Sequence, residues 1–260
     1  MITAETQTKT RNVGGRPACM RPATYHYCPG CCHGIIHNLI GYVIDELEIA
    51  DKTVGVSPVG CGVLAYDYFN LDFVEAAHGR APAVATGLKR GRPDNVIFTY
   101  QGDGDLAAIG CGEIVNAAAR GEKITVVFVN NAIYGMTGGQ MAPTTLLAQK
   151  STTSPAGRDI LRAGSPIRVC EMLSTLDGAA YISRVAVNNP KNVIKAKAAI
   201  KEAFLNQIEG TGFSLVEILS TCPINWGMAP LDALKWLEQN MIPHYPLGTF
   251  KNIGRQSNDA

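Results

Sequence analysis

The sequence predicts an α/β protein with a doubly wound, mainly parallel sheet, on three observations. Five short, mostly apolar, β-rich runs (residues 53–57, 95–100, 124–129, 181–187 and 213–219) have the character of strands buried on both faces. Amphipathic or small-residue stretches separate them, at 34–48, 81–90, 106–120 and 192–207. The 260 residues, 46% hydrophobic and 17% charged, suffice for one substantial domain. Strand–helix alternation of this kind places helices on both faces of an open sheet.

Each element has its own local signal. Pro190 and Asn192 open the 192–207 helix, and Gly121 closes the 106–120 helix. Residues 132–169 break the rhythm; they are rich in Gly, Thr, Ser and Pro, and a long irregular segment inside a compact domain points to function. The expected organisation is a mobile N-terminal arm over 1–20, the α/β domain over 21–222, and a C-terminal wrapping arm over 223–260 with one short helix at 231–239.

Composition narrows the function. A net charge of +1 argues against a nucleic-acid partner. No apolar run is long enough to cross a bilayer. The polar residues 1–12 lack the apolar core of a signal peptide, so a cytoplasmic location is expected. Eight cysteines in a reducing compartment read as metal ligands or buried thiols before disulfides.

Gly102-Asp103-Gly104 follows one strand, and Asn130-Asn131 closes the next. Neighbouring parallel strands bring these ends together, joining a carboxylate to an amide oxygen beside a helix start. Oxygen ligands of that kind suit Mg²⁺, and the helix start suits a diphosphate. A second constellation lies on the same rim: Cys28 and Cys31 in a Cys-Pro-Gly-Cys loop, Cys61 after the first strand and Cys222 after the last. Four converging thiolates can hold a tetrahedral metal or a [4Fe–4S] cluster. Zinc on Cys28, Cys31, His33 and His37 is the rival. Cys19, Cys111 and Cys170 read as inert thiols, while Cys32 adjoins a candidate ligand and stays ambiguous.

These motifs resemble a known family. Gly-Asp-Gly followed by Asn-Asn is similar to the signature of thiamine diphosphate enzymes. Together with Cys28-Pro-Gly-Cys31, Val59-Gly-Cys61, the His78-Gly79-Arg80 loop and Thr221-Cys222-Pro223, in that order, it resembles the β subunit of 2-oxoacid:ferredoxin oxidoreductases. The resemblance implies the thiamine diphosphate-binding type of fold, with Mg²⁺ held by Asp103, Asn131 and the carbonyl of Ile133. It also implies a [4Fe–4S] cluster on Cys28, Cys31, Cys61 and Cys222. Gly102, Gly104, His78, Gly79, Tyr134 and Gly135 would border the cofactor, with His78, Thr137 and Gln140 as catalytic candidates and Arg80 a weaker one.

The implied reaction is oxidative decarboxylation of a 2-oxo acid to acyl-CoA and CO₂, with coenzyme A as co-substrate and electrons passing through the cluster to ferredoxin. The glutamate that activates thiamine would come from an α-type partner, since Glu75 and Glu113 lie in no activating motif. Small γ and ferredoxin-like δ subunits are further expected partners, and the chain alone would be inactive. Residues 134–145, 168–171 and 224–228 resemble the branch acting on 2-oxoisovalerate, with the 2-oxoglutarate branch as alternative. Some relatives carry a lysine at Gly138 or Gly139; its absence here favours an apolar substrate tail, because a buried second carboxylate would need a partner. A non-redox thiamine decarboxylase or synthase, and a zinc-bearing structural module, are the readings of other classes.

Overall fold

A computed structural model describes residues 15–254. Its sheet has seven strands in the order β2-β1-β3-β4-β6-β5-β7. They are β1 (Thr53–Ser57), β2 (Asp72–Glu75), β3 (Val96–Gly102), β4 (Thr125–Asn130), β5 (Ala179–Ala186), β6 (Phe213–Leu219) and β7 (Gly248–Asn252). All pairings are parallel except β5 with β7. The five central runs read from sequence are all strands. The two edge strands were not anticipated: β2 is short and half exposed, and β7 is Gly- and Lys-bearing, so neither carries a buried-strand pattern.

Alternate strand residues feed two cores. Phe98, Val127, Val129, Val216 and Ile218 face α1 (His33–Glu46) and the later helix α6 (Pro190–Ile208). Ile97, Val126, Phe128 and Leu215 face α2 (Ala81–Gly91), α3 (Cys111–Ala119) and α5 (Val169–Ser174), which follows the one-turn helix α4 (Ile160–Ala163). This period of two is why every central strand is buried on both faces and mostly apolar. Asn189 caps α6, its side chain accepting from Asn192 N–H, with Pro190 in the first turn.

The helix expected over 106–120 is divided. Gly104–Ile109 winds as a π-turn, with Gly110 N–H donating to the Asp105 carbonyl five residues back, before α3 starts at Cys111. Gly110 permits this because its Cα packs on Gly79: a Cβ at Gly79 would stand 2.7 Å from Gly110 N, and φ there is +78°.

The irregular stretch after β4 is ordered by one side chain. The Arg158 guanidinium donates to the carbonyls of Ala142, Pro143, Thr145, Ala163, Gly164 and Ser165. The C-terminal segment wraps its own domain. It runs through α7 (Pro223–Trp226), α8 (Pro230–Trp236) and α9 (Ile242–His244) and buries Leu237, Met241 and Tyr245 against Ala132, Leu146 and Leu219. Most of the expected N-terminal arm, residues 1–14, and the last residues, 255–260, lie outside the described residues. The described end of the N-terminal arm is docked, with Cys19 and Met20 buried and the Cys19 N–H bonded to Asp45 on α1.

Candidate functional site

Strand order explains where the site lies. The chain leaves β1 toward β2 and leaves β3 toward β4, in opposite directions, so the loops diverge and open a crevice at the carboxyl ends of β1 and β3. A cavity of about 280 Å³ occupies this crevice. Val59 to Gly62 line one wall, Gly102 to Asp105 the floor, and Asn131 with Ile133 to Thr137 the other wall.

Asp103 and Asn131 meet there as expected. Asp103 Oδ1 accepts from Gly104 N–H at 2.9 Å; Oδ2 accepts from Ile133 N–H at 3.1 Å and Thr144 Oγ1 at 2.7 Å. Burial pushes the Asp103 carboxyl up to about 7, although the bonds from Thr144, Gly104 and Ile133 pull the other way. Asn131 Oδ1 is buried without a hydrogen-bond partner. A buried carboxylate beside an orphaned amide oxygen is the donor set a hard divalent ion would complete. The loop bearing Asn131 is held in a costly shape: Ala132 has φ of +57°, its N–H bonded to Asn130 Oδ1 and its carbonyl to Thr145 and Gln149.

His78 lines the same cavity, and its Nδ1 lies 2.6 Å from Asp105 Oδ1. Asp105 Oδ1 also accepts from the N–H groups of Gly79 and Val59, and its Oδ2 from Gln101 Nε2. One buried carboxylate thereby ties the loops after β1 and β2 to the turn after β3. Arg80 is paired with Glu113 across the start of α2, which removes both from the cavity. Thr137 lines the mouth; Gln140 is turned back on the loop, its Nε2 donating to the Thr137 carbonyl and its Oε1 accepting from Thr137 Oγ1.

The thiols of Cys61 and Cys222 come from β1 and β6, strands separated by β3 and β4, yet they converge over Gly135. A Cβ on Gly135 would stand 3.1 Å from Cys61 Sγ, 3.6 Å from Cys222 Sγ and 3.7 Å from Asn131 Nδ2. Cys31 and Cys28 are near enough to share this electrostatic environment. Burial and neighbouring thiols push Cys31 up to about 12 and Cys61 up to about 11, and raise Cys222. The two histidines of the zinc alternative are engaged by tyrosines. His33 Nδ1 bonds to Tyr100 OH, and His37 Nε2 lies 2.6 Å from Tyr27 OH, inside an aromatic cluster. Among the described residues, no three His, Cys, Asp or Glu side chains could together hold a single metal ion.

Comparison with known proteins agrees with this geometry. Residues 59–218 match the family model for the thiamine pyrophosphate enzyme, C-terminal TPP binding domain. Ketoisovalerate oxidoreductase subunit VorA of Methanothermobacter marburgensis is 50% identical over 231 residues, 89% of this chain and 48% of the relative. The 2-oxoglutarate synthase subunit KorB of Methanocaldococcus jannaschii is 36% identical over 222 residues, covering 83% of this chain and 78% of that one. This chain belongs to the thiamine diphosphate-binding subunits of the 2-oxoacid:ferredoxin oxidoreductases.

Within that family the fold is shared with a solved 2-oxoglutarate:ferredoxin oxidoreductase from Magnetococcus marinus, at a TM-score of 0.76 and 25% identity over 95% of this chain and 88% of the other. The chain spans about half the length of the VorA relatives it matches. Against this family background, three site residues escaped sequence reasoning. Asp105 and Thr144 look like ordinary polar residues, one in a helix start and one in a loop; only the fold aims them at His78 and Asp103. Asn225 stands in the stretch 224–228 read as a substrate marker, but its Nδ2 donates to Gly135 O and Cys222 Sγ. Glu171, in the stretch 168–171 read likewise, binds the buried Arg184 instead. Of the thiols read as inert, Cys19 and Cys170 are buried but Cys111 is partly exposed; Cys32 turns into the core toward Thr221.

Proposed function

We propose that this chain is the β subunit of a coenzyme A-dependent 2-oxoacid:ferredoxin oxidoreductase whose substrate is a branched-chain 2-oxo acid of the 2-oxoisovalerate type. The observation that carries the reading is the meeting of three side chains at Gly135: the Cys61 and Cys222 thiols and the Asn131 amide, whose oxygen is unsatisfied, all lie within 4 Å of where a Cβ of Gly135 would stand. Asp103, Asn131 and the Ile133 carbonyl would hold Mg²⁺, with the diphosphate against Gly102 and Gly104 and the cavity's Gly79, Tyr134 and Gly135 bordering the cofactor. Gly104 has to be glycine, because a Cβ there would stand 2.7 Å from the Tyr134 ring. Cys28, Cys31, Cys61 and Cys222 would hold a [4Fe–4S] cluster.

When bound, thiamine diphosphate accepts the electron pair left by departing CO₂, and the cluster takes electrons one at a time for ferredoxin. The chain's own residues supply position and polarity. His78, its Nδ1 fixed by Asp105, presents its other ring nitrogen to the diphosphate or substrate. Thr137 offers a hydroxyl at the mouth, and Gln140 braces it. Buried Ile133, with half-buried Tyr134 packed against Gly104, limits the access of water to Asp103.

Glu75 is exposed on the edge strand β2, Glu113 is engaged by Arg80, and neither lines the cavity. An α-type subunit would supply the activating glutamate, with γ and ferredoxin-like δ subunits completing the path to ferredoxin. Among the described residues no helix is long and apolar enough to cross a membrane. The branched-chain preference is supported by the 50% identity to the VorA relative against 36% for the KorB relative, and by the absence of lysine at Gly138 and Gly139.

The test is a substrate panel on the anaerobically co-purified complex, with viologen reduction as readout. Faster CoA-dependent reduction with 2-oxoisovalerate than with 2-oxoglutarate is expected. The reverse order would transfer the chain to the 2-oxoglutarate branch. Thiamine-dependent turnover without iron or viologen reduction would replace the reading by a non-redox decarboxylase or synthase.

A further inference from the structure

The helix α7 follows Cys222 directly and lies across the loop that separates the two proposed cofactor sites. Asn225 Nδ2 carries two N–H groups. It stands 2.8 Å from the Gly135 carbonyl and 3.2 Å from Cys222 Sγ, with its side chain packed on Gly139. Next to it, Trp226 Nε1 donates to the Asn131 carbonyl at 3.2 Å. Asn225 is thus the side chain that bonds at once to a cluster-side sulfur and to the thiamine-side loop.

We propose that Asn225 is a positioning residue that couples the two sites: one N–H bonds the Cys222 sulfur and raises the reduction potential of the iron–sulfur centre, while the other anchors Gly135 and keeps Asn131 aimed at the metal. The inference rests on the cluster assignment given above. Reduction adds negative charge to the centre and its thiolates, so a donor N–H at a ligand sulfur stabilises the reduced form. The same amide holds the Gly135 carbonyl, and the loop between Asn131 and Gly135 is short enough for a displacement at one end to reach the other.

The experiment compares wild type, Asn225→Leu and Asn225→Asp in the full chain, purified anaerobically. Three measurements are made: iron content, the midpoint potential by redox titration followed by electron paramagnetic resonance, and affinity for thiamine diphosphate with Mg²⁺. Midpoint potentials are expected to fall in the order wild type, Leu, Asp, because Leu removes the donor and Asp replaces it with an acceptor bearing negative charge. Affinity for the cofactor should weaken roughly 2- to 10-fold in both variants, the loss of one hydrogen bond. A wild-type potential in either iron-replete variant overturns the inference, whatever happens to turnover. Should Asn225→Leu fail to fold, the near-isosteric Asp variant alone decides by the same criterion. An iron-free wild-type chain would overturn the cluster assignment as well; an iron-replete wild type with unmoved variants overturns the coupling role alone.

Discussion

Asp105 Oδ1 and His78 Nδ1 lie 2.6 Å apart, and the same oxygen also accepts the N–H groups of Gly79 and Val59. The pair joins the two loops flanking the cavity, so the orientation of His78 is set by a residue that the sequence placed in a helix start. Asp105→Asn keeps the volume but replaces one acceptor oxygen with a donor facing other donors. Turnover of the assembled enzyme is expected to fall roughly 10- to 100-fold, the usual cost of losing an orienting partner, with iron content unchanged. Steady-state kinetics beside iron analysis checks this, and undiminished turnover would remove His78 from the machinery.

The two proposed cofactor sites should be separable. Asp103→Ala is expected to abolish Mg²⁺-dependent thiamine diphosphate binding while leaving the brown chromophore. Cys222→Ala should bleach the chromophore and leave cofactor binding measurable by calorimetry. Loss of the same single property in both variants would contradict two separate cofactor sites.

A buried charge chain supports the Asn131 loop from behind. Arg184, fully buried, donates to Glu171 and to Glu217, and Glu217 Oε1 accepts from Asn130 Nδ2, whose own oxygen holds Ala132 N–H. Burial raises the Glu171 carboxyl, but the bonds from Arg184 outweigh it and hold Glu171 below its ordinary value. Arg184→Ala strands Glu217 without its counter-ion and should cost about 3–5 kcal/mol. Urea unfolding checks the magnitude, and a variant within 1 kcal/mol or so of wild type would show that water replaces the guanidinium.

Stability should also respond to acid through His37. Burial, then the proximity of His33 and His26, hold His37 well below its ordinary value. Tyr27 bonds it, and Tyr25, Tyr68, Phe69 and Tyr100 enclose it, with no carboxylate among these neighbours. The folded pKa of this base is depressed, so its contribution is complete above about 6.5, the unfolded value, and is lost as pH falls from there toward the folded value. Between pH 6.5 and 5, wild type should lose stability more steeply than His37→Gln, by up to about 1.4 kcal/mol per pH unit. Urea midpoints across that range measure the difference; parallel curves would mean that the imidazole is protonated in the fold.

A smaller prediction concerns the Gly79–Gly110 contact. Gly79→Ala places a methyl 2.7 Å from backbone nitrogen at a φ of +78°. Both faults destabilise, and the expected loss exceeds 1 kcal/mol in thermal or urea unfolding. An unchanged midpoint would show that the π-turn can shift to make room.

Much of the architecture was legible because buried parallel strands must be apolar on both faces, and β1 and β6 were bounded to the residue. The edges were not: β2 and β7 pair on one side only, so their residues carry no such pattern. Gly110 could not be read as the break between a π-turn and α3, since the reason for it is Gly79, 31 positions away in sequence but touching in space.

Local order in the chain settled the chemistry that short motifs can carry: Gly102-Asp103-Gly104, Asn130-Asn131 and the cysteine loops each bring their donors on one turn, wherever that turn ends up. Which donors face each other depended on strand order. Only the β1-β3-β4-β6 arrangement brings Cys61 and Cys222 together over Gly135, commits His33 and His37 to tyrosines, and sets Asn225 between sulfur and carbonyl. Those contacts join residues far apart along the chain, and a one-dimensional pattern holds no record of such distances.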